Sequence, residues 1–332
     1  MEGKTQLDSG TVDEIRAYIP DIIREQYPVQ FWSMQEHGGY QNWVYQVTCY
    51  GRPIILRVTP ASHRSLTQLK AELTIVNALR QRGIRVAAPM RLSGIPTINR
   101  VRLRRNTYFI ILFETAPGST WSEYPQREED FFEAGQILAR IHAETEHIPS
   151  AFERPRWDEN HYIRIAKRAI PREKRWVLHK MNEHIEKLRE YDETPGEFGL
   201  VHGDYQFANM LYSPEGITVI DFDEVEYHWH IYDLAVYIFY YLLGSDPSSI
   251  DVEANRIVWR RLLQGYESER RLPARLSERL PEFLRLREFM LYSSLYASLP
   301  RRTWGEWQKT YVAETERRLK AGRPFVETER LM

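Results

Sequence analysis

The first third of the chain alternates short apolar or aromatic runs with turn residues, a pattern typical of antiparallel strands. It predicts strands over residues 29–36, 42–50, 53–59, 98–103 and 107–114. Between the third and fourth of these, Ser65 and Gln68 form a capping-box signature, and apolar residues then recur at helical spacing as far as Gly83. This segment predicts one helix, and a short helix is also expected over residues 11–26.

Apolar residues in the rest of the chain recur mainly at helical spacing. They predict helices over residues 128–146, 164–188, 231–243, 252–266, 280–297 and 305–320. One interval departs from this pattern. Two short apolar runs, at residues 199–201 and 217–220, bracket a polar loop there and predict a small hairpin.

The change from strand-rich to helix-rich sequence near residues 114–118 predicts two lobes, since 332 residues exceed the needs of one small core. The expected domains are an N-terminal lobe over residues 1–115 and a larger lobe over residues 116–332. The fold class is therefore α+β, with a small antiparallel-sheet lobe followed by a mostly helical one.

Composition excludes several classes of protein. Lys and Arg (45) nearly balance Asp and Glu (46), so no electrostatic footprint for nucleic acid or an anionic membrane is present. The single cysteine, Cys49, rules out an internal disulfide and a cysteine-rich metal site. Apolar runs are too short for a membrane span, and residues 1–10 are too polar for a signal peptide. We therefore expect a cytoplasmic protein.

The residues with the clearest chemistry lie in and after the polar loop. The motif H-G-D-x-x-x-x-N supplies Asp204 and Asn209, and the motif I-D-F-D, after an apolar run, supplies Asp221. Three oxygen-bearing side chains suit Mg²⁺, a hard ion that prefers oxygen ligands. Phosphoryl transfer needs such a metal at the phosphates and a carboxylate at the attacking hydroxyl.

These motifs resemble the catalytic segment of the aminoglycoside phosphotransferase and choline kinase superfamily. The chain is most similar to the bacterial branch of homoserine-kinase-like and stress-response-kinase-like proteins. The resemblance covers nearly the whole chain and is strongest from His202 to Ala235. It implies a two-lobed protein-kinase-like fold and Mg²⁺-dependent transfer of the γ-phosphoryl group of ATP to a hydroxyl group.

The resemblance also implies a role for each motif residue. Asp204 matches the catalytic Asp that orients the acceptor hydroxyl and accepts its proton, while Asn209 and Asp221 match the metal ligands. Asp223 matches a second acidic position that assists the metal or faces the acceptor. Asp233 matches an Asp that braces the catalytic loop, although a plain helix-start role is equally compatible with its position.

In the first lobe, the resemblance implies a nucleotide site. The turn that contains Gly39 and Asn42 would cover the phosphates, although a glycine pair between strands is also an ordinary hairpin turn. The backbone of Glu114 and Ala116 would meet the adenine edge. The P-loop motif G-x-x-x-x-G-K-[ST] is absent, so a P-loop fold is not supported.

A cation on the third strand should pair with Glu72 on the following helix. The cation in this sequence is Arg57 rather than the expected Lys. Arginine and lysine differ in reach and in fork geometry, although arginine can still hold phosphate oxygens in a bidentate manner. This departure leaves open a pseudokinase-like module that binds nucleotide without turnover.

The sequence leaves the acceptor open. A small-molecule hydroxyl ranks first, and amino alcohols, hydroxy amino acids, sugars and protein Ser/Thr are alternatives. Carboxylates that could pair with an acceptor's ammonium group are Glu224 and Glu226, near the metal Asp, and Asp158 and Glu159.

Three histidines are better explained by structure than by chemistry. His228 and His230 flank Trp229 without a third ligand at suitable spacing, which argues against a zinc site. His142 lies on the apolar face of a predicted helix and is expected to be a hydrogen-bonded core residue under the catalytic loop.

Overall fold

The computed structural model describes residues 31–38, 42–49, 51–148 and 153–331, together with four positions between residues 18 and 25. The helix expected over residues 11–26 lies largely outside these residues, and Gly39 lies wholly outside them. The chain divides into two compact units. The first comprises Met1–Arg80 and Val86–Ala116, and the second Gln81–Arg85 and Pro117–Met332.

An antiparallel sheet forms the first unit. Its strands are β1 (Phe31–Gly38), β2 (Trp43–Cys49), β3 (Arg52–Pro60), β4 (Ile98–Leu103) and β5 (Asn106–Glu114). Their order in the sheet is β1-β2-β3-β5-β4. The predicted strands are confirmed to within two residues at each end. Burial alternates along β2, so that Trp43, Tyr45, Val47 and Cys49 share the buried face.

One helix packs on the opposite face of this sheet. Helix α1 (Leu66–Gln81) begins with a capping box, as predicted. The Ser65 N–H donates to Gln68 Oε1 (2.9 Å), and the Gln68 N–H donates to Ser65 Oγ (3.1 Å). Leu69 of this helix packs in a buried cluster with Ile111 of β5. The helix is therefore fixed to the sheet by its apolar stripe.

Helices make up most of the second unit. They are α2 (Glu128–Thr145), α3 (His161–Ala169), α4 (Arg175–Arg189), α5 (Ile231–Leu243), α6 (Val252–Glu269), α7 (Leu276–Ser298) and α8 (Glu306–Lys320). Residues 234–239 of α5 are all fully buried, so this helix is enclosed by its neighbours. Within the part of the chain that the structure describes, no helix has the length and apolar character needed to cross a membrane.

The helix predicted over residues 164–188 is wrong as a single element. It is two helices, α3 and α4, with Ile170, Pro171 and a short 3₁₀ turn between them. Pro171 has no backbone N–H, and its ring disfavours the helical conformation of the residue before it. Ile170 accordingly has φ −72° and ψ 124°, which is extended.

The hairpin predicted between residues 199–201 and 217–220 is also wrong. The strands here are β6 (Phe198–Val201), β7 (Met210–Ser213), β8 (Gly216–Val219) and β9 (Glu226–Trp229). β6 pairs with β9, and β7 pairs with β8. β7 and β8 are joined by two residues, the connection that antiparallel neighbours favour. The polar loop is thus held between two small ladders rather than at the tip of one hairpin.

Helices α2 and α6 approach until their backbones touch. A Cβ on Gly135 of α2 would overlap the carbonyl oxygen of Leu262, and a Cβ on Gly265 of α6 would overlap the carbonyl oxygen of Phe132. Each helix therefore presents a glycine to the backbone of the other. This close packing requires the absence of both side chains.

We expect Gly265→Ala to destabilise the second unit by about 1–3 kcal/mol, because a methyl group must separate the two backbones. Alanine is otherwise favoured over glycine within a helix by about 1 kcal/mol, so a loss of stability isolates the steric effect. Urea unfolding measures the change, with Gln264→Ala on the exposed face of α6 as the control. An unchanged or higher unfolding midpoint for Gly265→Ala would contradict the packing argument.

Candidate functional site

A single buried carboxylate holds the start of the polar loop, residues 202–209, between β6 and β7. Asp233, in the first turn of α5, accepts the His202 N–H through Oδ2 (2.7 Å) and the Gly203 N–H through Oδ1 (2.9 Å). It is fully buried. Asp233 therefore occupies a helix start and also braces the loop.

A histidine supports this carboxylate from α2. His142 Nε2 lies 3.1 Å from Asp233 Oδ2, and Nδ1 lies 2.9 Å from the hydroxyl of Tyr266. Burial lowers the pKa of His142 well below its ordinary value, so the imidazole is neutral and donates from Nε2. Burial raises the pKa of Asp233 to about 6, so its carboxylate is ionised at neutral pH. His142 is thus a hydrogen-bonded core residue, as predicted.

Asp204 lies further along the loop, with its side chain 21% exposed. Its Oδ2 accepts hydrogen bonds from Gln206 Nε2 (2.9 Å) and Asn209 Nδ2 (2.8 Å). Asn209 Nδ2 also donates to the backbone oxygen of Asp204 (2.9 Å). Because the nitrogen of the Asn209 amide faces Asp204, the amide oxygen is directed elsewhere. The structure therefore brings the predicted catalytic residue and one predicted metal ligand into one hydrogen-bonded turn.

Two hydrogen bonds attach the residue before Asp221 to the same loop. His202 Nε2 lies 3.1 Å from the carbonyl oxygen of Ile220. The Ile220 N–H donates to the carbonyl oxygen of Asn209 (3.0 Å). The backbone immediately before Asp221 is therefore held against Asn209.

The backbone beyond Asp221 returns to the loop at a glycine. Asp221 has φ 62° and ψ 69°, the left-handed conformation, which aspartate adopts more readily than most residues. The turn that follows brings the carbonyl oxygen of Glu224 against Gly203, where a Cβ would overlap it. Gly203 itself has φ +80°, so this position needs glycine for both its conformation and its close contact.

The accessory candidates lie in that turn. Asp223 is buried and Glu224 is half-buried. Arg154, also buried, donates to the backbone carbonyl oxygens of Asp223 and Val225, the latter at 2.5 Å. This arginine, which the sequence analysis missed, fixes the course of the chain after Asp221.

Other carboxylates considered for an acceptor's ammonium group have protein partners. Glu226 is buried and accepts a hydrogen bond from Asn160 Nδ2 (2.7 Å). Asp158 pairs with Arg189 (2.9 Å). Both carboxylates would therefore have to share or lose a protein partner to bind an ammonium group.

Arg287 of α7 is the other residue that the sequence analysis missed. Its Nη2 donates to Asp204 Oδ1 and to the hydroxyl of Tyr240 (2.6 Å). The two ends of the ion pair are 83 residues apart, and the arginine is buried. The signal was an arginine on the apolar stripe of the predicted helix, one turn after Leu284, because a buried arginine needs a partner.

In the first unit, Arg57 and Glu72 form a bidentate ion pair. Nη1 lies 2.8 Å from Oε1, and Nη2 lies 2.8 Å from Oε2. Both residues are buried, and the guanidinium lies over the ring of Phe113 with its central carbon 5.0 Å from the ring centroid. The fork geometry of arginine matches the carboxylate, which one lysine ammonium cannot reproduce.

The other residues predicted to bind the nucleotide differ in the hydrogen bonds that their polar groups make. Asn42 is buried, and its Oδ1 accepts a hydrogen bond from Thr59 Oγ1 (2.8 Å). The Glu114 N–H donates to the carbonyl oxygen of Ala88 (2.9 Å). Among the described residues, the backbone of Ala116 makes no hydrogen bond to another backbone group.

The donor atoms in the second unit fit a divalent metal. Asn209 can present an amide oxygen and Asp221 a carboxylate, and the two are linked through the backbone of Ile220. Hard divalent ions such as Mg²⁺ and Ca²⁺ favour oxygen ligands, and Mg²⁺ keeps several waters. A site of two protein ligands therefore suits a metal that also binds phosphate oxygens.

The phosphotransferase enzyme family matches residues 35–272 of the chain. The chain belongs to this family. The matched region contains the Arg57–Glu72 pair and the loop of Asp204, and the family predicted from the motifs is confirmed. This phosphotransferase is therefore an enzyme that has hydroxyl groups as acceptors.

Known proteins similar to this phosphotransferase are small-molecule kinases by name. Amicoumacin kinase of Bacillus subtilis (strain 168) is 26% identical over 293 residues, which cover 86% of each chain. The structure of an amicoumacin kinase in complex with AMP-PNP, Ca²⁺ and Ami has a TM-score of 0.84 at 23% identity, over 96% of this chain and 99% of that one.

The structure of a microcompartment-associated aminopropanol kinase has a TM-score of 0.72 at 23% identity, over 92% of this chain and 98% of that one. A spectinomycin phosphotransferase and a choline kinase also share the fold. The predicted kinase-like α+β fold is confirmed by these similarities.

Four buried histidines lead us to expect that acid destabilises the folded protein. The buried histidines of the described chain are His142, His202, His228 and His230, and burial lowers the pKa of each. Below about pH 6.5 the unfolded chain binds more protons on these residues than the folded chain does, so we expect acid to favour unfolding. Asp233 acts in the opposite direction, because its raised pKa lets the folded state bind a proton first. The destabilising effect of four buried histidines is expected to exceed the stabilising effect of this one carboxyl group.

We expect the free energy of unfolding to decrease from about pH 7.5 to about pH 5.5, by about 1.4 kcal/mol per pH unit for each net proton taken up. Urea unfolding without nucleotide or metal measures it. His228→Phe keeps a ring stacked on Tyr232 and removes one titrating group, so the dependence should be less steep. His179→Gln, at an exposed position of α4, is the control. A midpoint that is constant over this range would contradict the interpretation.

Proposed function

We propose that this phosphotransferase transfers the γ-phosphoryl group of ATP to a hydroxyl group of a small-molecule acceptor, with Asp204 as the catalytic residue. The observation that supports this most is the hydrogen bond from Asn209 to Asp204. The backbone of Asn209 is also hydrogen-bonded to Ile220, the residue before Asp221. A carboxylate at the hydroxyl and oxygen ligands for a metal are the protein groups that phosphoryl transfer requires.

Asp204 receives the acceptor in the proposed reaction. The acceptor oxygen forms a bond to the γ-phosphorus while the bond from that phosphorus to the β,γ-bridging oxygen breaks, and ADP leaves. The proton of the acceptor hydroxyl passes to the Asp204 carboxylate. Gln206 and Asn209 donate to Oδ2 of this carboxylate and so keep it oriented for the transfer.

Asn209 and Asp221 are proposed to hold Mg²⁺ through the amide oxygen and the carboxylate. When bound, the ion neutralises negative charge on the β- and γ-phosphates. Asp223 and Glu224 follow Asp221 in a turn packed on Gly203, so we propose them as accessory residues for the metal or the acceptor.

The nucleotide is assigned to the first unit. Arg57, oriented by Glu72, is proposed to contact phosphate oxygens. The backbone of Ala116 is proposed to meet the adenine edge. Gly39 and Asn42 stay predicted residues of the turn over the phosphates.

The acceptor is proposed to be a small molecule because the similar proteins are named amicoumacin kinase and aminopropanol kinase. An acceptor panel should therefore hold amicoumacin, amino alcohols, hydroxy amino acids and sugars. A generic Ser/Thr protein tests the alternative of a protein kinase. Release of ADP that depends on one acceptor would identify the substrate class.

Asp204→Asn should lower kcat for acceptor-dependent ADP release by about 10²–10⁴-fold, because the amide cannot take the hydroxyl proton. Its affinity for Mg²⁺-ATP should stay close to that of the wild type, whereas Asp221→Asn should weaken that affinity. Glu215→Gln, in the exposed turn between β7 and β8, is the matched control. Substantial turnover by Asp204→Asn would refute the role of Asp204.

Arg57 favours a second candidate function, a nucleotide-binding module without turnover, because both of its terminal nitrogens are bonded to Glu72. If the proposed kinase is active, Arg57→Lys should lower kcat/KM for ATP by about tenfold, since one ammonium leaves a buried carboxylate oxygen without its donor. Arg52→Lys, exposed at the start of β3, is the control. Higher activity in Arg57→Lys would instead favour a decayed site in the wild type.

A further inference from the structure

The proposed reaction leaves one buried charge beside Asp204 without a role. Arg287 Nη2 donates to Asp204 Oδ1 and to the Tyr240 hydroxyl (2.6 Å), and Nη1 lies 3.4 Å from the Tyr232 hydroxyl. The guanidinium also stacks on the Tyr240 ring, with its central carbon 5.1 Å from the ring centroid. These contacts hold the group on several sides, so it is a fixed part of the site rather than a mobile surface cation.

The helix that carries Arg287 is packed in the core of the second unit. The residues on either side of it, Leu286 and Glu288, are fully buried. Glu288 accepts a hydrogen bond from Arg318 Nε of α8 (2.9 Å). The position of the guanidinium is therefore set by α7 and its packing.

Hydrogen-bond capacity indicates where an acceptor can approach Asp204. Each carboxylate oxygen accepts about two hydrogen bonds. Among the described residues, Oδ2 accepts from Gln206 and Asn209, while Oδ1 accepts only from Arg287. The remaining acceptor capacity of Asp204 is therefore at Oδ1, next to the guanidinium. A substituent beside a hydroxyl bound there would lie near the Arg287 guanidinium.

We propose that Arg287 is a positioning residue for Asp204 and that it sets the charge preference of the acceptor site. It selects against an acceptor with an ammonium group on the carbon next to the reacting hydroxyl and favours one with a carboxylate there. This inference rests on the proposed function, because it takes Asp204 as the residue that receives the acceptor.

The physical reason is local charge balance. An ammonium group next to the hydroxyl would lie near a fixed guanidinium in a partly buried site, where like charges are weakly screened. A carboxylate in the same position would be attracted by the charge of the guanidinium. Without Arg287, the Asp204 carboxylate would lack its counter-charge and would attract the ammonium group instead.

Three probes separate these cases because they share a three-carbon skeleton and a secondary hydroxyl. They are 1-amino-2-propanol, 1,2-propanediol and lactate, which are cationic, neutral and anionic beside that hydroxyl. Titration calorimetry with Mg²⁺ and AMP-PNP present measures their dissociation constants. We expect the wild type to bind lactate about tenfold more tightly than 1-amino-2-propanol, and Arg287→Gln to reverse this order.

Two further variants control for charge and for folding. Arg287→Lys keeps the charge and should keep the wild-type order. Arg285→Met removes another arginine of α7, one that donates to Glu288 and not to the loop, and should also keep the order. The wild-type order itself requires no variant, so misfolding of Arg287→Gln leaves the preference measurable.

Kinetics test the positioning role separately. In Arg287→Gln, kcat for ADP release should fall by about 10–100-fold while KM for ATP stays within about twofold, with partial recovery in Arg287→Lys. A merely structural role would lower the melting temperature and change both kinetic constants together. Unchanged kcat in a folded Arg287→Gln protein would overturn the positioning role.

Binding and turnover fail in distinguishable ways. A wild type that releases no ADP with any acceptor refutes the proposed function, yet its probe preference is still measured. Preference for 1-amino-2-propanol, or equal binding of the three probes, absence of binding included, overturns the charge preference. The same order in the wild type and in Arg287→Gln assigns the preference to another residue and overturns the role of Arg287.

Discussion

The site depends on one carboxylate that satisfies two consecutive buried N–H groups. Without Asp233, the backbone donors of His202 and Gly203 would be buried away from water, which costs as much as lost hydrogen bonds. His142 Nε2 contacts that carboxylate and helps to orient it. With the loop fixed there, Gly203 can lie against the backbone of Glu224, and the two motif segments meet.

Helix α5 is the common base of these contacts. Its first turn carries Asp233, which holds the loop, and Tyr232, which contacts Arg287; Tyr240, two turns later, holds the same guanidinium. One buried helix thus positions both the backbone of the loop and Arg287, the counter-charge of Asp204. A rigid helix is suited to this task, because catalytic geometry tolerates only small displacements.

Interactions between residues close in sequence could be predicted, whereas those between distant residues could not. Asp204 and Asn209 are five residues apart on one loop, so their spacing already indicated a shared site. The pairing of β6 with β9 was missed because four-residue strands carry little alternation. The break at Pro171 was missed because the apolar spacing continues across it. Arg287 reaches Asp204 only through tertiary packing. Its place on an apolar stripe therefore did not indicate which residue it would pair with.

The single cysteine has a practical consequence for physical studies of the enzyme. Cys49 is buried on the inner face of β2, and burial raises the pKa of its thiol, so little reactive thiolate is present at neutral pH. A cysteine introduced at the surface of either unit would therefore be modified selectively without prior removal of the native one. Paired spin or fluorescent labels could then follow the separation of the two units as nucleotide binds.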